Sequence, residues 1–297
     1  MKNHNVKCAI CDCTKNYKIL YSQNYQDSDL NKKVFSARRL PDNIHYQLVR
    51  CNDCGLVRST PVAENAILND LYKKSKLNYS GEIKNLTKTY IRVINPVLNK
   101  LNKKSSILEI GCGNGFLLEE IYKLGYSNVQ GFEPSIDAVK NLSQHLSSRI
   151  INSYFRPNLI KSKKFNLIVV FQTLDHIPNP NQFLVECYKI LKPNGYIFAF
   201  NHNVDSVSAR LLGEKSPIFD IEHTFLYNPT TIKRIFEKNG FLVESVTKPW
   251  STLSLKHLIW LFPFSKNIKK KLLKKNSPFY NIHFKIPLGN LAITAKK

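Results

Sequence analysis

The most constraining stretch of the chain runs from Ser106 to Ile121. There an apolar run, Ile107-Leu108-Glu109-Ile110, passes into Gly111-Cys112-Gly113-Asn114-Gly115 and then Phe116-Leu117-Leu118-Glu119-Glu120-Ile121. A short strand that feeds a glycine loop and an amphipathic helix is the opening of a βαβ unit. Alternate glycines let the loop backbone approach a ligand closely, with a helix N-terminus behind it. Such a loop alone would serve a nicotinamide or flavin cofactor equally well. Glu109 shifts the balance, because a carboxylate two residues before the first glycine can receive an ammonium group and disfavours the pyrophosphate of a dinucleotide. A second strand, Asn128 to Phe132, ends at Glu133. An acid at that place can accept both ribose hydroxyls of an adenosine group, or more plainly can charge the N-terminus of a helix starting near Pro134-Ser135.

Seven cysteines are present, and four of them form two C-x-x-C pairs, Cys8 with Cys11 and Cys51 with Cys54, the second followed by Gly55. Two thiolates at this spacing can grip one tetrahedral ion from a tight turn. Four thiolates fill the coordination sphere, so the metal expected here is a structural zinc that holds together a module with little core of its own. Free buried cysteines or a redox pair are the competing reading, and Cys13 and His45 stand nearby as substitute ligands. Cys112 and Cys187 lie inside later elements, as packing residues do.

The glycine loop and its acids resemble the class I S-adenosylmethionine-dependent methyltransferases, whose motif is Glu-x-Gly-x-Gly-x-Gly followed by an acidic residue closing the second strand. Further along, Phe171-Gln172-Thr173-Leu174-Asp175-His176-Ile177, Leu191-Lys192-Pro193-Asn194-Gly195 and Tyr196 to Phe200 are similar to that family's fourth strand, the end of its helix, and its fifth strand. Glu222-His223-Thr224-Phe225-Leu226-Tyr227, a helix from Pro229 to Asn239 and Gly240-Phe241 resemble the approach to the sixth strand. The resemblance implies an α/β fold: a Rossmann-like, seven-stranded, mostly parallel sheet with helices on both faces, plus a small N-terminal zinc-knuckle module. It implies S-adenosylmethionine as cofactor, held by Glu109, Gly111, Gly113, Gly115, Glu133, Phe171 and Gln172. Asn166 and Asp175 depart from the family's usual Asp and Glu. The expected units are residues 1–75 for the zinc module, 76–250 for the methyltransferase domain, 251–283 for a helical insertion or lid, and 284–297 for the last strand.

The cysteine pairs also look like those of a subgroup with a zinc-binding head, several members of which methylate sugars in nucleotide-linked or glycan pathways. That resemblance implies a sugar or nucleotide-linked sugar, or another small polar metabolite, as acceptor. The run Asp220-Ile221-Glu222-His223 differs from the Tyr-x-Glu-His of the sugar C-methyltransferases, and the further C-terminal domain of those enzymes is not expected in 297 residues; transfer to oxygen is therefore favoured. A hydroxyl acceptor gains from a general base, for which His223 is the candidate, with Glu222 to orient it and His176 in reserve; either histidine can instead be a structural hydrogen-bonding residue. The formal charge of +23 invites a nucleic-acid reading, and an RNA methyltransferase with a zinc head is the main rival. The lysines are spread along the whole chain, however, and Phe171-Gln172-Thr173-Leu174 lacks the Asn/Asp-Pro-Pro-aromatic element of base amino-group methylation. A non-catalytic scaffold of the same fold is the third possibility, against which the intact glycine loop speaks. With no apolar N-terminal h-region and no apolar run near the ~20 residues of a membrane span, a cytoplasmic location is expected. Residues 250–275 combine Trp250, Trp260, Phe262 and Phe264 with many lysines, which suits a helical lid or a peripheral contact with an anionic membrane. The aromatic and lysine-rich region from Tyr72 to Tyr90 is a candidate lining of the acceptor pocket.

Overall fold

The computed structural model describes residues 3–26, 44–64, 72–73, 83–160, 164–261, 266–272, 282–287 and 289–297. Its centre is a seven-stranded sheet of β1 (Ile107–Ile110), β2 (Val129–Phe132), β3 (Ile150–Ile151), β4 (Phe165–Phe171), β5 (Leu191–His202), β6 (Leu242–Thr247) and β7 (Asn290–Lys296). Their spatial order is β6-β7-β5-β4-β1-β2-β3. Strands β1 to β5 are parallel, and β7 runs antiparallel to both β5 and β6. This is the mostly parallel, Rossmann-like sheet that the sequence led us to expect.

Every residue of β1 is buried, as a central strand covered on both faces must be. Its alternate side chains enter two cores. Ile107, with Leu167 and Val169 of β4, packs against α1 (Ile83–Leu98) and α2 (Phe116–Lys123). Leu108 and Ile110, with Ile168 and Val170, pack on the other face against α3 (Pro180–Ile190) and α4 (Pro229–Lys238). The chain leaves β1 toward β2 on one side, while β4 lies on the other. The order of strands reverses here, and the crevice at their C-terminal ends is where open α/β sheets bind ligands.

The N-terminal cysteine region is joined to this body through a second sheet. Tyr17–Tyr21, Leu48–Cys51 and Val57–Ser59 form three antiparallel strands, and the fourth is Phe225–Leu226, which lies between β5 and α4 in the chain. Phe225 pairs with Arg58 and Leu226 with Val57. The Ser59 N–H donates to the Thr224 carbonyl (2.9 Å), and the Ser59 hydroxyl donates to that of His223 (2.7 Å). Cys8, Cys51, Cys54 and Leu56 share one apolar cluster with Ile110 and Phe132.

The segment after β6 is strand at both ends. Ser251–Ser254 pairs antiparallel with His283–Ile286, and between them stand two short helices, Leu255–Leu261 and Lys266–Leu272. The Thr252 N–H donates to Thr89 Oγ1, which ties this insertion to α1 (3.0 Å). Trp250 is exposed. Phe262, Phe264, Lys274 and Lys275 lie outside the described residues, as do residues 74–82 of the suggested pocket lining. No helix among the described residues is long and apolar enough to cross a membrane.

Candidate active site

The loop after β1 is shaped by its glycines. Gly111, Gly113 and Gly115 all have positive φ, at 77°, 55° and 74°. A Cβ on Gly111 would stand 2.3 Å from Thr173 Oγ1, so only glycine lets the β1 and β4 loops touch. The Gly113 N–H donates to Glu133 Oε2 (2.8 Å), and the Ser135 N–H donates to Oε1 (2.7 Å). These bonds hold the Glu133 carboxylate at the rim of the loop and leave a lone pair on each oxygen. Burial raises its carboxyl to about 7, against the pull of the two amides. Glu109 is also buried, with Oε2 unpartnered; desolvation first, then the charge of Glu133, push its carboxyl well above the usual range. Asn114 Oδ1 and Gln172 Oε1 are likewise buried without partners, and Gln172 adopts φ 47°, a conformation strained for a side chain. Orphaned polar atoms of this kind call for a ligand. An ammonium group for Glu109 and ribose hydroxyls for Glu133 fit them.

Beyond this cradle, four side chains from three separate segments converge. Asp175 and His176 follow β4, His202 ends β5, and His223 lies in the loop that the cysteine region supports. Asp175 is 1% exposed; its Oδ1 accepts from Asn201 Nδ2 (3.1 Å), and its Oδ2 lies 2.9 Å from His202 Nδ1. His223 Nε2 is 3.8 Å from Oδ2, and His176 Nε2 is 3.9 Å from Oδ1. His223 Nδ1 faces the Ile218 carbonyl at 2.8 Å. The His176 and His202 rings lie 4.8 and 5.0 Å from that of His223. Burial works to raise the Asp175 carboxyl, but the charge of His223, the hydrogen bond from His202 and the remaining imidazole charge hold it far below the carboxylate range. Desolvation, reinforced by His223, lowers His176 to about 4.

A family model described as a methyltransferase domain matches residues 83–246, more than half of the chain. The chain belongs to that family of S-adenosylmethionine-dependent methyltransferases. A ubiquinone biosynthesis O-methyltransferase of Coxiella burnetii is 25% identical over 214 residues, covering 63% of this chain and 88% of that protein. The same-named protein of Glaesserella parasuis is 30% identical over 125 residues, which cover 36% of this methyltransferase and about half, 52%, of the relative. The crystal structure of magnesium protoporphyrin IX methyltransferase from Synechocystis, with bound S-adenosylhomocysteine, has a TM-score of 0.51 at 12% identity, covering 79% of this chain and 100% of that one. At that identity the likeness shows the fold alone.

The methyltransferase places its expected site residues unevenly. Glu109, Gly111, Gly113, Gly115, Glu133 and Gln172 lie together at the strand ends. Phe171 does not offer its ring there: it stacks on Tyr90 (4.3 Å between centroids) and packs against Phe198 and Phe200, inside the core. His223 is 5% exposed with both ring nitrogens facing protein oxygens, and the carboxylate facing it is Asp175, where Glu222 had been expected. His176 is 26% exposed and makes no hydrogen bond through its ring among the described residues. Sequence reading missed His202, which follows the fifth strand's apolar run with no motif around it, and undervalued Asp175. Cys8, Cys11, Cys51 and Cys54 converge: Cys8 and Cys54 Sγ are 3.3 Å apart, Cys11 and Cys51 3.4 Å, and Cys11 and Cys54 3.8 Å. The edge of a tetrahedral zinc site with ~2.3 Å bonds is about 3.8 Å, so the donor set fits that ion. Cys13 accepts from Asn16 N–H and lies within 4.8 Å of Cys51 and Asp53, outside the four-sulfur group, while His45 bonds Tyr46 and Glu214.

The raised carboxyls give a pH dependence to cofactor binding. A ligand that selects ionised Glu109 and Glu133 must displace protons from both whenever the free site holds them. Affinity should therefore fall by up to roughly a hundredfold from pH 7 to pH 6, the limit for two displaced protons, and rise above pH 7. Calorimetric titration in buffers of different ionisation enthalpy should register proton release on binding, and Glu133→Gln should flatten the profile. A flat profile in the unaltered protein would contradict this picture.

Proposed function

We propose that this methyltransferase acts on a hydroxyl oxygen of a small molecule, with Glu109, Gly111, Gly113, Gly115, Glu133 and Gln172 holding the cofactor. The observation that carries the reading is the Asp175, His176, His202 and His223 cluster, set against the glycine loop through the contact of Gly111 with Thr173. Bound in that cradle, S-adenosylmethionine supplies a methyl group on an already charged sulfonium. What remains for the protein is to position the acceptor and receive its proton. Near-attack placement can account for roughly 7 to 11 kcal/mol in favourable cases, and a general base for about 10²–10⁴ in rate.

His176 is the proton acceptor in this reading. It is about as exposed as His202 (26% and 27%), but the His202 ring is bonded to Asp175 through Nδ1, and His223, the first candidate from sequence, is enclosed. The cofactor held there would supply the methyl group and keep the electron pair of its carbon–sulfur bond, and the proton of the acceptor hydroxyl would pass to His176. His176→Ala should lower turnover by about 10²–10⁴ while cofactor affinity stays within about threefold. Equal turnover would remove His176 from the mechanism.

For the acceptor, the relatives' printed name supports a hydroxylated ring like that of a ubiquinone precursor. The second reading, a sugar or nucleotide-linked sugar, is favoured by the four-cysteine head, to which we assign a structural zinc. Incubation with labelled S-adenosylmethionine and each acceptor class, followed by identification of the product, separates them. A methyl ether on a ring hydroxyl supports the first, one on a sugar the second. Label in neither, with ribonuclease-sensitive label in cell extract, would sink both and favour RNA.

A further inference from the structure

We infer that Asp175, His202 and His223 form a binding site for a divalent first-row transition ion, beside the cofactor cradle and separate from the four-cysteine site. The inference rests on the proposed methyl-transfer reading only for the role of the ion, not for its binding. One carboxylate oxygen and one nitrogen from each of the two rings all lie within 4.8 Å of one another. Two imidazoles and a carboxylate are the donor set that such ions take while keeping positions open.

The distances and the tautomers support this assignment. Bonds of about 2.1 Å place ligand atoms roughly 3.0 Å apart in an octahedral site and about 3.4 Å apart in a tetrahedral one. Asp175 Oδ2 stands 2.9 Å from His202 Nδ1 and 3.8 Å from His223 Nε2, on either side of those values. A carbonyl accepts and cannot donate, so His223 Nδ1, facing the Ile218 carbonyl, carries the ring hydrogen. In the neutral ring, the Nε2 lone pair then points at a carboxylate oxygen too far for a hydrogen bond, an arrangement that a cation between them relieves. The outer contacts are of the kind that orient metal ligands: a backbone carbonyl on the far nitrogen of His223, and Asn201 on the second oxygen of Asp175. Among the described residues no lysine or arginine pairs with Asp175, which is nevertheless 1% exposed.

Binding requires His202 Nδ1 and His223 Nε2 to be free of hydrogen, so neutral His202 must carry its hydrogen on Nε2 and any imidazolium form must release its proton. The open positions of the ion would take two neighbouring oxygens of the acceptor and lower the pKa of the hydroxyl to be methylated. The acceptor class is thereby narrowed to molecules with adjacent oxygen donors, whether on an aromatic ring or a sugar.

Cobalt(II) is the probe. Added to the chelator-treated full chain, it should give the weak visible bands of a nitrogen and oxygen site, in addition to the intense near-ultraviolet charge transfer of a thiolate site. In His202→Ala the weak bands should vanish, with about one equivalent of cobalt lost, while the thiolate absorption and cofactor affinity stay as they were. That retained absorption and affinity also report that the variant is folded. Absence of the weak bands from the unaltered protein, or their persistence in His202→Ala, would overturn the inference and leave a hydrogen-bonded Asp–His cluster only. Methyl transfer without such bands defeats the ion and spares the O-methylation reading; such bands with no methyl ether formed do the reverse.

Discussion

Gly111→Ala should weaken cofactor binding at least about thirtyfold. Two costs combine. The added Cβ meets Thr173 Oγ1 at 2.3 Å and Cγ2 at 2.9 Å, and overpacking of this kind costs roughly 1–3 kcal/mol. The φ of 77° adds about 1–2 kcal/mol for any residue with a side chain. Either the β1 loop or the β4 loop must move, and Glu109 and Gln172 flank the point of contact. Calorimetric titration with S-adenosylmethionine measures the loss. Thr173→Ala in the same chain should recover part of it, by removing the two atoms struck first while leaving the backbone cost. Binding within threefold of the unaltered protein would mean that the two loops do not form the cradle.

Cys54→Ser tests the other end of the molecule. Structural zinc contributes on the order of 10–16 kcal/mol to the folding of small modules, so loss of Cys54 from the proposed zinc site should loosen the whole cysteine region. The effect should travel along the second sheet. Val57–Ser59 holds Phe225–Leu226, and Ser59 bonds both Thr224 and His223, so the His223 loop loses its support. Turnover should drop at least about tenfold, zinc content should fall, and cofactor affinity should change by no more than about threefold. Metal analysis, steady-state kinetics and cofactor titration on one preparation decide the matter. Full turnover in a zinc-free variant would disconnect the head from the acceptor side.

The parts of this molecule that sequence revealed are those whose cause is local. Ile107 to Ile121 announces strand, loop and helix because apolar spacing and glycine positions follow one another directly, and Glu133 is found because it closes the next strand of the same unit. The C-x-x-C pairs are equally plain, since two turns suffice to hold four sulfurs. His202 was invisible for the opposite reason. Nothing near it marks it out, and its importance comes from a carboxylate 27 positions earlier in the chain, brought beside it by the parallel pairing of β4 with β5. His223 was noticed, but with the wrong carboxylate, because adjacency in sequence suggested Glu222 while the fold supplied Asp175. Phe171 illustrates the alternation of a strand: at the end of β4 its ring turns to the apolar face, where Tyr90 waits.

The strand pairing of Phe225–Leu226 with Val57–Ser59 bears on how the chain is made. The cysteine region leaves the ribosome before the methyltransferase domain, yet its sheet lacks an edge until residue 226 has been synthesised, roughly ten to thirty seconds later at ordinary rates of elongation. Over that interval the backbone groups of Arg58 and its neighbours form an open strand edge, a template for pairing with a foreign chain. A sheet begun before the methyltransferase domain is thus finished only with it, and its protection in a crowded cell depends on chain that does not yet exist.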